Sequence, residues 1–165
     1  MKYREINSLF KILSKVIKNP RSDLKYKNKF TLLVSVVLSA QCTDVNVNNV
    51  TKNIYPKYNK PEHFVRLGRK KIEKLIKSIG LFRNKAKSVY LLSKQLIEKH
   101  NGKVPKNFDD LYALPGVGRK TASVVLNEGF GLPTIAVDTH VFRVSNRTGL
   151  AYGKILMKFK KIYTK

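Results

Sequence analysis

Cysteine and acidic residues are scarce in this sequence, and both shortages exclude particular kinds of site. The 165 residues contain one cysteine, Cys42, and 10 acidic side chains against 34 lysines and arginines. One cysteine excludes an internal disulfide, a structural zinc site built on thiolates and a four-cysteine iron–sulfur cluster ligated within these residues. We therefore expect no metal site and no cofactor held by this sequence, and a small buried apolar role for Cys42.

Long apolar runs are also lacking. The longest extends from Phe30 to Ala40, includes Thr31, Ser35 and Ser39, and is too short to cross a bilayer. The N-terminal segment interleaves charged and apolar residues, without the apolar core of a signal peptide. We expect a cytoplasmic protein with no membrane partner, and an apolar fraction of 42% is enough for a folded core.

The formal net charge of +24 favours a polyanionic partner, nucleic acid before an anionic membrane. An alternative explanation carries equal weight. Lysine, asparagine and isoleucine, whose codons are rich in A and T, supply 50 of the 165 residues, so mutational drift would give the same excess. The lysines are spread along the chain, which fits drift, and the charge alone does not name the substrate.

Apolar residues recur at helical spacing nearly throughout, and no strand-like alternation appears, so the pattern predicts an all-α fold. Asn19-Pro20 ends the first helix, and Lys29 to Ala40 reads as a buried central helix because its length disfavours a strand. The predicted helices carry Ile6 to Ile17, Lys29 to Ala40, Val47 to Ile54 after a Thr43-Asp44 cap, Ile72 to Ile79 with a stop at Gly80, Ala86 to Asn101-Gly102, Phe108 to Leu114, Arg119 to Phe130, and a last stretch from an Asp138 cap to Arg147.

The strongest local signal is the run from Leu114 to Ala122, LPGVGRKTA, between two short predicted helices. Gly116 and Gly118 allow a tight turn and a close approach to a partner. The N–H groups at the start of the next helix, with Arg119 beside them, favour a phosphate. The pattern indicates a helix-hairpin-helix motif that grips one DNA strand through Gly116, Val117, Gly118 and Arg119; the alternative is an ordinary corner between helices.

Several longer motifs resemble one family. The run LPGVGRKTASVVLN followed by PTIAVDTHVFRV is similar to endonuclease III, a family of DNA glycosylases and AP lyases within the helix-hairpin-helix superfamily, and LLVSVVLSAQCTDVNVN and IKSIGLFRNKAKSV also match. The resemblance implies the helix-hairpin-helix glycosylase fold. It also implies a DNA-repair enzyme, a monomer associated with the nucleoid, that removes oxidised pyrimidines from double-stranded DNA and cleaves abasic sites by β-elimination.

The resemblance implies two catalytic residues. Lys120 falls on the family's nucleophilic lysine and Asp138 on its catalytic aspartate. A neutral amine can attack C1′ of the sugar and form a Schiff base, and a nearby carboxylate can stabilise the positive charge that grows there. From the residues alone, Lys120 is one of 26 lysines and Asp138 is a helix N-cap, a role compatible with catalysis.

Three further residues receive DNA-binding roles from the resemblance. Gln41 enters the gap left by a flipped nucleotide, Leu81 wedges between bases of the opposite strand, and His140 supports the same site. The residues alone allow plainer interpretations. Gln41 ends a buried helix, Leu81 is a single exposed leucine with Ile79 as its competitor, and His140 is a structural histidine.

The sequence departs from the family after Gly153. Family members usually continue with further helices and a four-cysteine loop that holds a [4Fe–4S] cluster, whereas GKILMKFKKIYTK does not resemble them. We expect a frameshift or premature stop, which leaves a six-helix domain at 21–132 and, at 1–20 plus 133–165, an incomplete second helical domain without the iron–sulfur loop. The alternative function is a truncated relic that binds DNA through its hairpin with weak or no turnover.

Overall fold

The computed structural model describes residues 3–18 and 20–150. Within those residues the fold consists of eight helices and no strand, which confirms the all-α prediction. The residues after Gly153, on which the frameshift prediction rests, lie outside the described part. The helices are α1 (Tyr3–Val16), α2 (Lys29–Ser39), α3 (Asp44–Thr51), α4 (Pro61–Leu75), α5 (Phe82–His100), α6 (Phe108–Tyr112), α7 (Arg119–Phe130) and α8 (Thr139–Thr148).

Two compact units make up the chain. The continuous unit, Ser22–Pro133, contains α2 to α7, and the split unit combines Met1–Arg21 with Thr134–Lys165 and contains α1 and α8. In the split unit α1 has an apolar stripe at helical spacing, yet Phe10 and Val16 on that stripe are exposed. The proposed assignment of these segments to one intact and one incomplete domain stays a prediction.

Helix α2 is the centre of the continuous unit. Every residue from Phe30 to Leu38 is buried, and α3, α5 and α7 pack around it, as the long apolar run predicted. Asn28 begins the helix with a capping box: its side chain accepts from the Thr31 N–H at 2.9 Å, and the Thr31 hydroxyl accepts from the Asn28 N–H at 2.9 Å. The start of α2 is therefore fixed by its cap, and the body of the helix is held by the core.

The polar groups inside this core are paired. The Tyr55 hydroxyl lies 2.6 Å from the Ser35 hydroxyl and donates to the Thr31 carbonyl at 3.1 Å. Burial raises the pKa of Tyr55 above its ordinary value, and the hydrogen bond with Ser35 acts in the opposite direction. Tyr55 is thus a neutral hydrogen-bonded core residue.

The prediction of a short helix from Ile72 to Ile79 was wrong in its bounds. Helix α4 begins at Pro61 and ends at Leu75, with a break at Gly68, whose φ of 73° is left-handed. Ile76 and Ile79 follow in turns, and both are 1% exposed, whereas Leu75 is 39% exposed. The break rotates the first half of α4 out of phase with the second, so one continuous 3.6-residue pattern does not describe both halves.

Helix α5 ends as predicted at Asn101, whose left-handed φ of 50° closes the helix before Gly102. Helices α4 and α5 pack against each other along the continuous unit. The beginning of α5 lies at Leu81, which follows the buried Ile79 and also has a left-handed φ, of 58°. The turn between the two helices therefore presents Leu81 at the surface.

Candidate nucleic-acid interface

Helices α6 and α7 form the predicted hairpin. Asn107 caps α6 by accepting from the Asp110 N–H at 2.8 Å, and the turn returns the chain to α7 over Ala113 to Gly118. Leu114 and Val117 are buried beneath the turn, and the Val117 N–H donates to the Leu114 carbonyl at 3.1 Å. Val117 therefore supports the turn from below and offers neither its side chain nor this N–H to a partner.

Gly116 is required by the packing of the turn. Its φ of 79° is left-handed, and a Cβ at this position would lie 2.6 Å from Ser88 Cβ on α5 and 3.5 Å from Val37 Cγ1 on α2. A contact of 2.6 Å to another carbon cannot be accommodated without movement of the backbone. The hairpin turn thus rests directly on the two central helices, which hold it in place.

The start of α7 is an open helix N-terminus. Gly118 is the N-cap and offers no side chain to cap the first turn. The φ of Gly118 is −88°, and a Cβ added there would meet nothing within 4 Å. An N-terminus without a capping side chain leaves backbone N–H groups and the positive end of the helix dipole available to an anion.

Arg119 is exposed beside this N-terminus, and α6 orients it. Its guanidinium carbon lies 5.7 Å from the ring centroids of both Phe108 and Tyr112, whose rings stack 5.9 Å apart. These contacts are within the range of a cation–π interaction. Lys120 follows on the first turn of α7 and is also exposed, so two cationic side chains flank the open N-terminus.

A second exposed feature of the continuous unit consists of the two loops that carry Gln41 and Leu81. Gln41 follows α2 with a φ of 53°, and Leu81 precedes α5 with a φ of 58°. Left-handed backbone is unfavourable for both residue types and is found where the surroundings impose it. Leu81 is 58% exposed, whereas its competitor Ile79 is 1% exposed, so Leu81 is the apolar side chain available to a partner.

These two loops are adjacent. A Cβ at Gly80 would lie 3.8 Å from the Gln41 carbonyl oxygen. The Asn46 side chain at the start of α3 donates to the Ser78 carbonyl at 3.2 Å and lies 3.4 Å from the Cys42 sulfur. Gln41 and Leu81, predicted separately from the sequence, therefore lie on neighbouring loops of one unit.

In the split unit, Asp138 is the N-cap of α8, as its position predicted. Its Oδ1 accepts from the His140 N–H at 3.0 Å and from the Val141 N–H at 2.9 Å. His140 is exposed, and its Nδ1 lies 3.2 Å from Nη2 of Arg143. The cap fixes the carboxylate at the end of the extended segment that precedes α8, while its catalytic role stays a prediction.

The residues of this chain do not fit the iron–sulfur cluster that the resemblance implies. Such a cluster takes four thiolates, and the sequence offers Cys42 alone. Among residues 3–18 and 20–150, no group of three or more His, Cys, Asp or Glu side chains is arranged to hold a metal ion. In the same residues, no helix is long and apolar enough to cross a bilayer.

A separate cavity lies at the other end of α2. It has a volume of about 670 Å³ and lies in the continuous unit between the beginnings of α2 and α4 and the end of α5. Because its lining includes Asn28, Lys29 and Phe30 at the start of α2, it is separated by the length of that helix from Gln41. None of the predicted site residues lines it.

Comparison with known proteins identifies the family. Residues 34–163 match the model of the HhH-GPD superfamily of base excision DNA repair proteins. This chain belongs to that superfamily. It is 55% identical to endonuclease III of Rickettsia conorii over 153 residues, which are 93% of this chain and 73% of the relative.

Two solved structures give the same assignment of the HhH-GPD fold. The structure of a non-covalent endonuclease III–DNA complex superposes on this chain with a TM-score of 0.88 at 43% sequence identity. The match covers 99% of this chain and 77% of the endonuclease III chain. The structure of a trapped covalent intermediate of endonuclease III with DNA also gives a TM-score of 0.88 at 43% sequence identity. This match covers 99% of this chain and 78% of the endonuclease III chain. The helix-hairpin-helix fold predicted from the sequence is confirmed.

Sequence reasoning missed one residue of this HhH-GPD site region, Lys85. Its side chain is 6% exposed and donates to the Leu38 carbonyl at 2.8 Å. Burial lowers the pKa of Lys85 below its ordinary value, and the interaction with Cys42 acts in the opposite direction. The position of Lys85 in the helical repeat could have indicated its burial. Lys85 lies one helical turn before the buried Val89 and so falls on the apolar face of α5.

Gly118→Asp tests whether the HhH-GPD hairpin binds phosphate through the open N-terminus of α7. Aspartate is a good N-cap and complements the helix dipole, so stability should stay the same or rise by about 0.3–1 kcal/mol. The carboxylate would stand where the phosphate binds, and we expect the affinity for duplex DNA to fall about tenfold or more. Fluorescence anisotropy at fixed salt measures the affinity, and thermal unfolding measures the stability.

The matched control is Asn28→Asp, which adds one negative charge at the N-cap of α2, away from the hairpin. It should leave the affinity for DNA within about twofold, since a single distant charge is screened at physiological salt. If both variants lose the same affinity for duplex DNA, the N-terminus of α7 does not bind the DNA.

Proposed function

We propose that this chain is a bifunctional DNA glycosylase and AP lyase of base excision repair. Its substrate is double-stranded DNA that carries an oxidised pyrimidine or an abasic site. The observation that carries the proposal is the position of Lys120, an exposed amine on the first turn of α7, two residues after the open N-terminus suited to a phosphate. An amine held beside a bound DNA backbone is the group that attack at a sugar carbon requires.

Lys120 performs the nucleophilic step. Its neutral amine attacks C1′ of the damaged nucleotide, the C1′–N bond to the base breaks, and the base leaves with the bonding electron pair. Loss of a proton from nitrogen and opening of the sugar give a Schiff base at C1′. The iminium makes a 2′ proton acidic, and its removal expels the 3′ phosphate by β-elimination. Water then hydrolyses the Schiff base and restores the amine of Lys120.

Asp138 is assigned the electrostatic role. Positive charge develops on the sugar as the base departs, and a carboxylate near that charge stabilises the transition state more than the ground state. The two hydrogen bonds from the first turn of α8 fix the carboxylate before substrate arrives. A preorganised charge of this kind costs no reorganisation during the reaction.

Gln41 and Leu81 are assigned to the opening of the duplex. A base can be attacked at C1′ only after its nucleotide is turned out of the stack, and side chains that fill the gap hold it open. Their exposed left-handed positions on adjacent loops suit them to enter the duplex together. Gly116, Gly118, Arg119 and His140 bind the backbone around the lesion, and Val117 holds the hairpin turn from within the core.

The charge of the chain and the nature of the substrate determine how the protein binds and where it acts. The net charge of +24 makes binding to DNA strongly dependent on salt, with log affinity falling by about 0.9 per neutralised phosphate for each unit of log salt. A protein with this substrate acts on the nucleoid in the cytoplasm, and the reaction needs one copy of the chain. Each proposed step uses a protein side chain, so we assign no cofactor to it.

A labelled duplex with one oxidised pyrimidine tests the function. Incubation with the purified chain should shorten the labelled strand without alkali, and the new 3′ end should be the unsaturated aldehyde of β-elimination. An undamaged duplex of the same sequence should stay intact. A product seen only after alkali would indicate a glycosylase without lyase activity, and binding without product would support the DNA-binding relic instead.

A further inference from the structure

Lys85 is a buried cation inside the continuous unit. Its side chain is 6% exposed, and its ammonium donates to the Leu38 carbonyl oxygen at 2.8 Å. Burial of a charged side chain is costly unless specific partners compensate it. A lysine at this core position therefore needs a reason beyond packing, because an apolar side chain of the same length would avoid the cost.

The acceptor of this hydrogen bond is an end of α2. In a continuing helix the Leu38 carbonyl would accept from the N–H of residue 42, but the Cys42 N–H donates to Ser39 at 3.0 Å instead. The last turn of α2 contains no basic residue of its own. The ammonium of Lys85 thus occupies the negative end of α2 and satisfies a carbonyl that the helix leaves open.

Lys85 also belongs to the turn that fixes Leu81. Its backbone N–H donates to the Leu81 carbonyl at 3.1 Å, the first hydrogen bond of α5. One residue therefore contacts both loops: its main chain holds the residue at the start of α5, and its side chain holds α2 three residues before Gln41. A further hydrogen bond reaches the same turn from the start of α3: the Asn46 side chain donates to the Ser78 carbonyl at 3.2 Å.

We propose that Lys85 is a positioning residue that holds Gln41 and Leu81 at a fixed spacing, so that the two side chains enter the DNA duplex together. The inference rests on the roles proposed for Gln41 and Leu81. It differs from a purely structural role in one respect: loss of Lys85 should impair the opening of a duplex more than any reaction that needs no opening.

The test replaces Lys85 with methionine, which has similar length and no charge or donor. Binding to a duplex with one abasic site beside 2-aminopurine reports insertion, because fluorescence rises when the neighbouring base is unstacked. We expect the fluorescence rise to shrink and the affinity to fall about tenfold or more. Borohydride trapping on a single-stranded abasic oligonucleotide, which has no stack to enter, should stay within about twofold.

The matched control is Lys87→Met. Lys87 lies on the same helix, is exposed, and its loss removes the same unit of charge. It should leave the fluorescence rise intact, so a general electrostatic effect is separated from positioning. Equal effects of the two substitutions on the duplex signal would overturn the proposal.

A coupling measurement separates positioning from stability. In a Gln41→Ala and Leu81→Ala background, Lys85→Met should cost no further fluorescence or affinity, since the groups that it positions are absent. The same further loss in that background would overturn the proposal. If Lys85→Met does not fold, Lys85→Gln takes its place. Its amide nitrogen lies one bond nearer the backbone than the lysine ammonium and carries no charge, so the contact with the Leu38 carbonyl is weakened. Its duplex signal should lie between wild type and the double alanine variant, and a wild-type signal would overturn the proposal.

The insertion signal needs no turnover. A wild-type chain that gives the fluorescence rise but no cleavage would contradict the proposed enzyme and leave the inference about Lys85 standing. A rise that Gln41→Ala and Leu81→Ala do not change would overturn the inference even if cleavage occurs.

Discussion

Lys120→Gln is expected to abolish strand cleavage at an abasic site, with a rate at least about 10³-fold below wild type. The amide of glutamine cannot form a Schiff base, so neither base displacement by the enzyme nor β-elimination can begin. Lys120 is exposed at the start of α7, so the substitution should change the stability by less than about 0.5 kcal/mol. Single-turnover cleavage of a labelled abasic duplex measures the rate, and anisotropy measures binding.

The control for this variant is Lys57→Gln. Lys57 is exposed in the same unit, between α3 and α4, and its loss removes the same charge without touching the hairpin. Its cleavage rate should stay within about twofold of wild type. Wild-type cleavage by Lys120→Gln would show that another amine is the nucleophile. If the cleavage rate falls in both variants, the loss of one positive charge explains the effect and the Schiff-base role of Lys120 is not supported.

Asp138→Asn is expected to slow base removal by about 10²- to 10⁴-fold without unfolding α8. Asparagine keeps a side-chain oxygen that can accept from the His140 and Val141 N–H groups, so the cap survives while the negative charge is lost. Asp138→Ala should lose both, with a further cost of about 1 kcal/mol in stability. Single-turnover base release and thermal unfolding of the two variants separate charge from cap.

If Asp138→Asn releases base at the wild-type rate while Asp138→Ala is destabilised, Asp138 is a helix cap alone. Asp138 would then have only the helix-capping role that its position in the sequence predicts without the family resemblance. Slowed release in both variants, with loss of stability only in Asp138→Ala, is the expected pattern.

Local signals predicted the elements that surround the site. Asp138 as a cap, the helix after Gly118 and the buried helix before Gln41 depend on residues within one turn of each other, and all three appear in the structure. The same reasoning failed at α4, where the backbone at Gly68 is left-handed and divides the helix into two segments that do not share one helical period.

Other parts of the site depend on contacts between distant segments. Glycine is needed at position 116 because a larger residue would collide with Ser88 on α5. Leu81, and not Ile79, is the exposed apolar residue because Ile79 is buried in the core. Lys85 and Leu38 are 47 residues apart, so no local pattern couples them. The helical phase of Lys85 on α5 indicated that it faces the core, whereas its hydrogen-bond partner is visible only in the fold.

Trapping the reaction intermediate and locating it on the chain tests the role of Lys120 most directly. Borohydride added during reaction with abasic duplex DNA reduces a Schiff base to a stable amine, and proteolysis followed by mass spectrometry locates the sugar remnant. We expect a single remnant on Lys120, out of 26 lysines and the N-terminal amine. A remnant on another amine, or no adduct from a folded chain that binds the same duplex, would contradict this role.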